Sequence, residues 1–173
     1  GQVLTSNGST AAWATPSGGG VTEITIDAAR FSTAPTVPGN STADSNLGLV
    51  YADGGTNNYW AYIGRIPWTS VDFYIDWGNP NAAGGDVRWT LHHGQDTADN
   101  VARTSTSSTS TAAAPNGNGT KLGAITRHTL ASSVAVDAAK RLSVVVSRVG
   151  ANAADTLAGN AQLLALIIRQ AGT

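Results

Sequence analysis

The sequence predicts an all-β fold, an antiparallel β-sandwich of the jelly-roll type. Apolar and polar residues alternate with a period of two through many short segments, and loops rich in Gly, Asn and Pro separate those segments. No long helical pattern interrupts them. Many short strands joined by such loops are typical of sandwiches and jelly rolls. The 173 residues, 41% of them hydrophobic, suffice for one domain with a short appendage.

The first 20 residues are predicted to form that appendage. Residues 2–5 and 11–14 read as two short extended segments, and Asn7-Gly8 between them is a strong signal for a tight turn. Residues 16–20, Pro-Ser-Gly-Gly-Gly, cannot bury a core and are expected to be a flexible linker. We therefore predict a hairpin and linker over residues 1–20 and the sandwich over residues 21–173.

Residues 71–77 and 87–93 show the clearest alternation in the chain. The side chains expected to face the core are Val71, Phe73, Ile75, Trp77, Val87, Trp89 and Leu91. Residues 78–85 between the two segments have turn composition, so the pair is predicted to be a hairpin. Further strands are expected at residues 22–27, 47–52, 59–63, 122–129, 142–149 and 161–169.

Two other features of the pattern bear on exposed surfaces. Residues 103–120 are rich in Thr, Ser, Ala and Asn without periodicity, which indicates a long exposed loop. Residues 144–146 and 163–168 are apolar on both faces, whereas a sandwich strand normally keeps one face polar. Either a loop covers the second face, or another subunit does. On the second interpretation the candidate interface residues are Val145, Leu164, Leu166 and Ile168.

Composition and motif searches exclude several classes of function. Ten basic residues against eleven acidic ones give no electrostatic footprint for nucleic acid, and no apolar run is long enough to span a bilayer. There is no cysteine, no nucleophile elbow, no phosphate-binding loop and no metalloprotease motif. His92 and His93 point to opposite faces of a strand, His92 outward and His93 towards solvent at the strand end. We therefore expect no enzyme, no cofactor and no metal site.

The aromatic residues near the middle of the chain suggest a binding surface. Tyr59 and Trp60 follow a polar segment that contains Asp53, Asn57 and Asn58. Aromatic rings stack on the C–H faces of sugars, while Asn and Asp side chains hydrogen-bond to sugar hydroxyls. These five residues are the candidate glycan-binding or receptor-binding site. The competing interpretation is that the same aromatic residues fill an ordinary core.

The opening GQVLTSNGS, followed by Trp13, resembles a short module found in tail fibres and other fibrous virion proteins of tailed bacteriophages. There it lies between the shaft and a terminal domain. Residues 21–173 are similar to the β-rich heads of such fibres through Trp77, through Val87 to Trp89, and through residues 142–148 and 155–160. The resemblance implies a homotrimeric head on the virion surface, outside the cell, that binds a host glycan or protein receptor.

The leading functional prediction is accordingly a virion fibre head that attaches to the host by non-covalent binding. The alternative is a capsid-decoration or fibre-trimerisation domain that binds no receptor, and a third possibility is a glycan-active enzyme. The chain starts at Gly1 and contains no Met, so we expect it to be a piece of a longer protein.

Overall fold

The computed structural model describes residues 3–6, 11–14, 22–33, 48–80, 84–96, 104–115 and 124–172. Its strands are β1 (Val3–Ser6), β2 (Ala11–Ala14), β3 (Glu23–Asp27), β4 (Ser32–Thr33), β5 (Leu49–Tyr51), β6 (Thr56–Arg65), β7 (Ser70–Gly78), β8 (Asp86–Asp96), β9 (Thr104–Ala113), β10 (Ile125–Ala135), β11 (Arg141–Val149) and β12 (Ala161–Gln170). The helical content of these residues is one short 3-10 turn, Ala28–Arg30.

Most of the strands form two antiparallel sheets. The first sheet has the order β10-β7-β12-β3, with β5 also pairing with β12, and the second has the order β4-β6-β11-β8-β9. Strands β1 and β2 pair with each other, as the predicted hairpin requires. The predicted antiparallel β-sandwich is therefore confirmed. The predicted linker, residues 16–20, lies outside the described residues.

The core lies between the two sheets and follows the predicted alternation. Every side chain expected to face inward on β7 and β8 has no exposed area: Val71, Phe73, Ile75, Trp77, Val87, Trp89 and Leu91. The aromatic rings at the centre meet edge to face, with Trp77 and Trp89 centroids 5.4 Å apart and Trp89 and Tyr51 centroids 5.0 Å apart. Such contacts between rings add to the free energy gained by burying them.

The predicted hairpin between β7 and β8 is wrong. Strand β7 pairs with β10 and β12 in the first sheet, whereas β8 pairs with β11 and β9 in the second. The chain crosses from one sheet to the other after Gly78. Residues 79, 80, 84 and 85 lie outside the strands, as predicted, but the same composition serves a connection between sheets as well as a hairpin.

Residues 103–120 contain a strand where an exposed loop was predicted. Strand β9 pairs with β8 over ten positions, from Asp86 opposite Ala113 to Gln95 opposite Thr104. Its inward positions hold small residues such as Ser110 and Ala112, so no hydrophobic alternation marks it. Tertiary pairing supplies the strand that the local pattern does not indicate.

Strand β12 is buried on both faces within the single chain. Leu166 and Ile168 belong to the core and have no exposed area, so they are not available at the surface as predicted interface residues. Ile167 on the opposite face is also fully buried.

An ionic network covers that second face of β12. Arg127 on β10 binds Asp76 through two hydrogen bonds of 2.8 Å and approaches Glu23 on β3 at 3.8 Å. Glu23 also binds Arg169, whose guanidinium lies 5.5 Å from the ring centroid of Tyr74. Tyr74, which Arg169 contacts, lies opposite Ile167 on the neighbouring strand. Salt bridges and a cation–π contact thus cover the apolar face that the sequence left without a partner.

Candidate functional site

The outer face of the second sheet carries two exposed aromatic side chains. Trp60 and Tyr62 are 44% and 52% exposed, whereas the side chains of Trp68, Trp77 and Trp89 are buried. They are separated by one residue on β6, so both point away from the core, with Cα atoms about 6.7 Å apart. Together with neighbouring outward side chains they form a surface that we call the aromatic face: Asn58, Trp60, Tyr62, His92, Ser143, Val145 and Ser147.

Register places these side chains in three parallel rows across the strands. Tyr62 lies opposite Ser143, and Ser143 lies opposite Gly94. The next row contains Trp60, Val145 and His92. The last contains Asn58, Ser147 and Thr90. The face is therefore aromatic on β6, small or aliphatic on β11 and polar on β8.

A depression with a volume of about 210 Å³ lies in this face beside Trp60. The residues that line it are Trp60, His92, His93, Gly94, Ser143, Val144 and Val145. Gly94 has no side chain and Ser143 has a short one, so the row that begins at Tyr62 leaves open space above these two residues. His93 and Val144 lie opposite each other, and both side chains point towards the core. These two residues therefore line the depression with backbone atoms.

The polar groups on the aromatic face differ in whether they have a hydrogen-bond partner. The Ser147 hydroxyl donates to Asn58 Oδ1. By contrast, the Ser143 hydroxyl oxygen is buried and has no hydrogen-bond partner in the structure. A buried hydroxyl without a partner is costly. The oxygen itself has no exposed area, so a group bound in the depression would hydrogen-bond to it only after the Ser143 side chain turns about its Cα–Cβ bond.

The five predicted receptor-binding residues divide between the two faces of β6 and its preceding turn. Asn58 and Trp60 lie on the aromatic face. Asn57 and Tyr59 alternate to the inner side, and Asp53 lies in the turn before β6. The structure therefore brings only two of the five together, and it adds Tyr62, which the alternation of residues 58, 60 and 62 could have identified.

Tyr59 is a core residue, and its inclusion in the site is corrected. It is 2% exposed, its ring meets Tyr51 edge to face at 4.6 Å, and its hydroxyl donates to the carbonyl of Val50. Burial raises the pKa of Tyr59 to about 12. The competing interpretation, that an aromatic residue here fills a core, holds for Tyr59 and not for Trp60.

The remaining candidate interface residues lie at partly exposed positions. Val145 stands between Trp60 and His92 in the middle of the aromatic face. Leu164 lies at an irregularity in the pairing of β12 with β7, between Leu163 and Ala165, and is half-buried.

The two histidines lie on opposite faces of β8, as predicted, but His93 is not directed to solvent. Its ring stacks on Phe73 of the core, with centroids 5.7 Å apart and an interplanar angle of 22°. Burial, with a smaller contribution from the charge of His92, lowers the pKa of His93. The sequence pattern correctly separates the two rings but does not reveal that the inner one contacts the opposite sheet.

Among the described residues there is no group of three or more His, Asp or Glu side chains that could hold a metal ion. In the same part of the chain no helix has the length and hydropathy needed to cross a membrane.

Comparison with known proteins gives only weak structural likeness. No protein-family model matches the chain, and no protein of curated function matches it. A Podospora anserina GH26-CBM35 β-(1,4)-mannanase structure is 16% identical, with a TM-score of 0.48, and the match covers 88% of this chain and 28% of that one. Structures of infectious bursal disease virus strains Gt and Gx are 16% and 14% identical, with TM-scores of 0.34 and 0.33. Each viral match covers 98% of this chain and 38% of the other.

Proposed function

We propose that this chain is the head domain of a virion fibre and that it attaches to the host by binding a surface glycan on the aromatic face. The single observation that carries the proposal is the pair of exposed rings, Trp60 and Tyr62, side by side on one strand. The virion assignment rests on the resemblance of residues 1–13 to a module of phage fibres.

The arrangement on the aromatic face suits a sugar in two ways. The exposed rings offer flat apolar surfaces for the C–H face of a pyranose, and they are held by a strand in the interior of the sheet. Asn58, Ser143 and His92 lie within one or two strands of those rings and supply donors and acceptors for hydroxyl groups. A rigid sheet also keeps the ordering cost of binding low.

The proposed mechanism is binding alone, without a chemical step. Three heads on one fibre would each bind weakly and together hold the virion firmly, because binding at one site raises the effective concentration at the others. Homotrimer formation belongs to this proposal, with Leu164 as the partly exposed member of the predicted interface. Val145, the other partly exposed candidate, lies in the aromatic face and is assigned to the glycan site instead. Light scattering after size exclusion tests it directly, since three chains of 17.6 kDa should elute together and remain so on dilution.

Binding of the fluorescently labelled protein to an array of bacterial capsular polysaccharides and O-antigens tests the function. Trp60→Ala and Tyr62→Ala should each reduce binding at least fivefold, because stacking on an aromatic side chain contributes about 1–3 kcal/mol in the recognition of nucleic-acid bases and a sugar face should gain a similar amount. Ile125→Ala is the matched control, since it removes the third large exposed hydrophobic side chain, which lies on the first sheet. That variant should bind as the unaltered protein does.

Three results would count against the proposal. Array binding that survives both aromatic substitutions would move the site away from the aromatic face. A trimer that binds no saccharide and no host cell would favour the alternative, a trimerisation or decoration domain. Release of reducing ends from a bound polysaccharide would show that the protein is an enzyme instead.

A further inference from the structure

The depression beside Trp60 has a composition that selects against charged ligands. No Asp, Glu, Lys or Arg lines it. On the same face, Arg141 lies opposite Asp96, with Nε 3.4 Å from Oδ1, so the charges of these two side chains neutralise each other. Arg65 lies opposite Arg141 but outside the lining. A carboxylate placed in the depression would lose its hydration without gaining an ionic partner there, which is unfavourable.

The size of the depression limits how much of a glycan it can hold. Its volume of about 210 Å³ is below the range of about 300–1,000 Å³ that is usual for sites of drug-sized ligands. One sugar ring is the largest unit that suits such a space. The rest of a glycan would then extend over the open part of the aromatic face, towards Asn58 or Tyr62.

The side chains around the depression call for a ligand with both an apolar group and hydrogen-bonding groups. Trp60 and Val145 supply apolar surface in one row, and His92 completes that row with a ring that can donate or accept a hydrogen bond. Among the described residues the Ser143 hydroxyl has no hydrogen-bond partner. A ligand hydroxyl or amide would satisfy it, and an apolar substituent would contact Val145.

We propose that the depression binds the terminal residue of a glycan, and that this residue is an uncharged sugar carrying a methyl group, as an acetamido or a 6-deoxy substituent. The inference rests on the proposed function and goes further by naming the sugar class. Trp60 stacks on the ring, Val145 contacts the methyl group, and Ser143 exchanges a hydrogen bond with the sugar.

The test measures affinities for free monosaccharides by ligand-observed NMR on the intact chain. The panel contains the parent hexose, the 6-deoxyhexose, the N-acetylhexosamine and the hexuronate in each of the gluco, galacto and manno series. In at least one series a methyl-bearing sugar should bind about fourfold more tightly than its parent hexose, the factor expected for burying one methyl group. The hexuronate should bind no better than the parent. Comparing the two methyl-bearing sugars identifies which substituent is used.

Gly94→Val tests the location of the site. The φ angle of Gly94 is not positive, so valine suits the strand, and its side chain would occupy the depression. This variant should bind the preferred sugar at least tenfold more weakly while Trp60 remains in place. If Gly94→Val does not fold, Ser143→Ala provides the second test, with a weaker but measurable loss, and its thermal midpoint verifies folding.

The outcomes separate this inference from the proposed function. Equal affinities for parent and methyl-bearing sugars, a preference for the hexuronate, or unaltered binding by a folded Gly94→Val variant would each overturn the inference. If no monosaccharide binds but a polysaccharide does so through Trp60, the inference fails and the proposed function stands. If no saccharide of any kind binds, the proposed function itself fails.

Discussion

Arg148 and Asp155 form an ion pair in which neither side chain has any exposed area. Arg148 Nε donates to Asp155 Oδ2 at 2.9 Å, and Nη2 donates to Oδ1 at 2.7 Å. The same guanidinium also donates to the carbonyls of Leu157 and Gly159. Asp155 additionally accepts the backbone N–H of Arg88 at 3.0 Å. This pair therefore fastens the segment between β11 and β12 to the second sheet.

Breaking this pair should destabilise the fold strongly. Asp155→Ala leaves the Arg148 charge buried with only the longer contact to Asp53 Oδ1, at 3.5 Å, as a carboxylate partner, and losses of about 3–5 kcal/mol are usual when one partner of a buried pair is removed. Urea unfolding followed by circular dichroism measures the loss. Lys140→Ala is the control, because it removes an exposed pair with Asp137 and should shift the midpoint little. A small effect of Asp155→Ala would mean that Asp53 or water takes over as the partner of the guanidinium.

Leu166→Ala should lower stability independently of protein concentration. Leu166 is a fully buried core residue, and removing such a side chain costs about 2–5 kcal/mol through lost burial and a cavity. Val145→Ala and Leu164→Ala remove partly exposed side chains and should cost less. If their effect on the unfolding midpoint grows at low protein concentration, they belong to a subunit interface. Such a dependence for Leu166→Ala would contradict its placement in the core.

Ser143→Ala should separate stability from binding. The Ser143 hydroxyl is buried without a partner, so its removal should leave the free energy of unfolding unchanged or raise it by up to about 1 kcal/mol. Binding of the sugar should weaken at the same time, because the ligand loses a hydrogen bond. Ser107→Ala, an exposed hydroxyl on the adjoining part of the sheet, should alter neither quantity. Thermal unfolding and sugar titration on all three proteins provide the comparison, and a destabilised Ser143→Ala would show that the hydroxyl is satisfied.

Stability should fall on mild acidification. Burial lowers the pKa of His93 and of His128, whose Nε2 lies 2.9 Å from the Ser110 hydroxyl oxygen across the edge of the sandwich. The unfolded chain then binds more protons than the folded one just below the usual histidine pKa of about 6.5. The folded state therefore has its full stability above pH about 6.5. It loses stability as pH falls from there towards the lowered pKa values of His93 and His128 in the folded protein. Urea midpoints at pH 7.5 and 5.5 measure this, and His128→Gln should reduce the difference. An unchanged difference would contradict the assignment to His128.

Alternation along single strands accounts for what the sequence predicted well. It placed Phe73, Trp77 and Trp89 in the core because a period of two in a half-buried strand has few alternative interpretations. It also required Tyr59 and Trp60 to face opposite ways, but it could not say which of the two faces inward. That choice depends on the register of β6 against β11, which is a long-range property.

The features that the sequence did not predict depend on contacts between residues that are distant in sequence. Strand β9 carries small residues inward and is held by pairing with β8, so local hydrophobicity does not mark it. Arg148 reads as the polar end of an apolar strand, and only the fold brings it to Asp155. The depression likewise depends on Gly94 and Ser143, which lie 49 positions apart and become neighbours through strand pairing. Sequence therefore predicted the class of fold and two of the site residues.

The most direct test of glycan binding on the aromatic face is an amide chemical-shift titration of the isotope-labelled protein with a polysaccharide that it binds on the array. We expect the shifted resonances to belong to β6, β8 and β11, with the indole N–H of Trp60 among the largest changes. The amides around Tyr74 and Arg127, on the outer face of the first sheet, should remain where they are. Shifts confined to that first sheet, with Trp60 unaffected at saturation, would contradict the account.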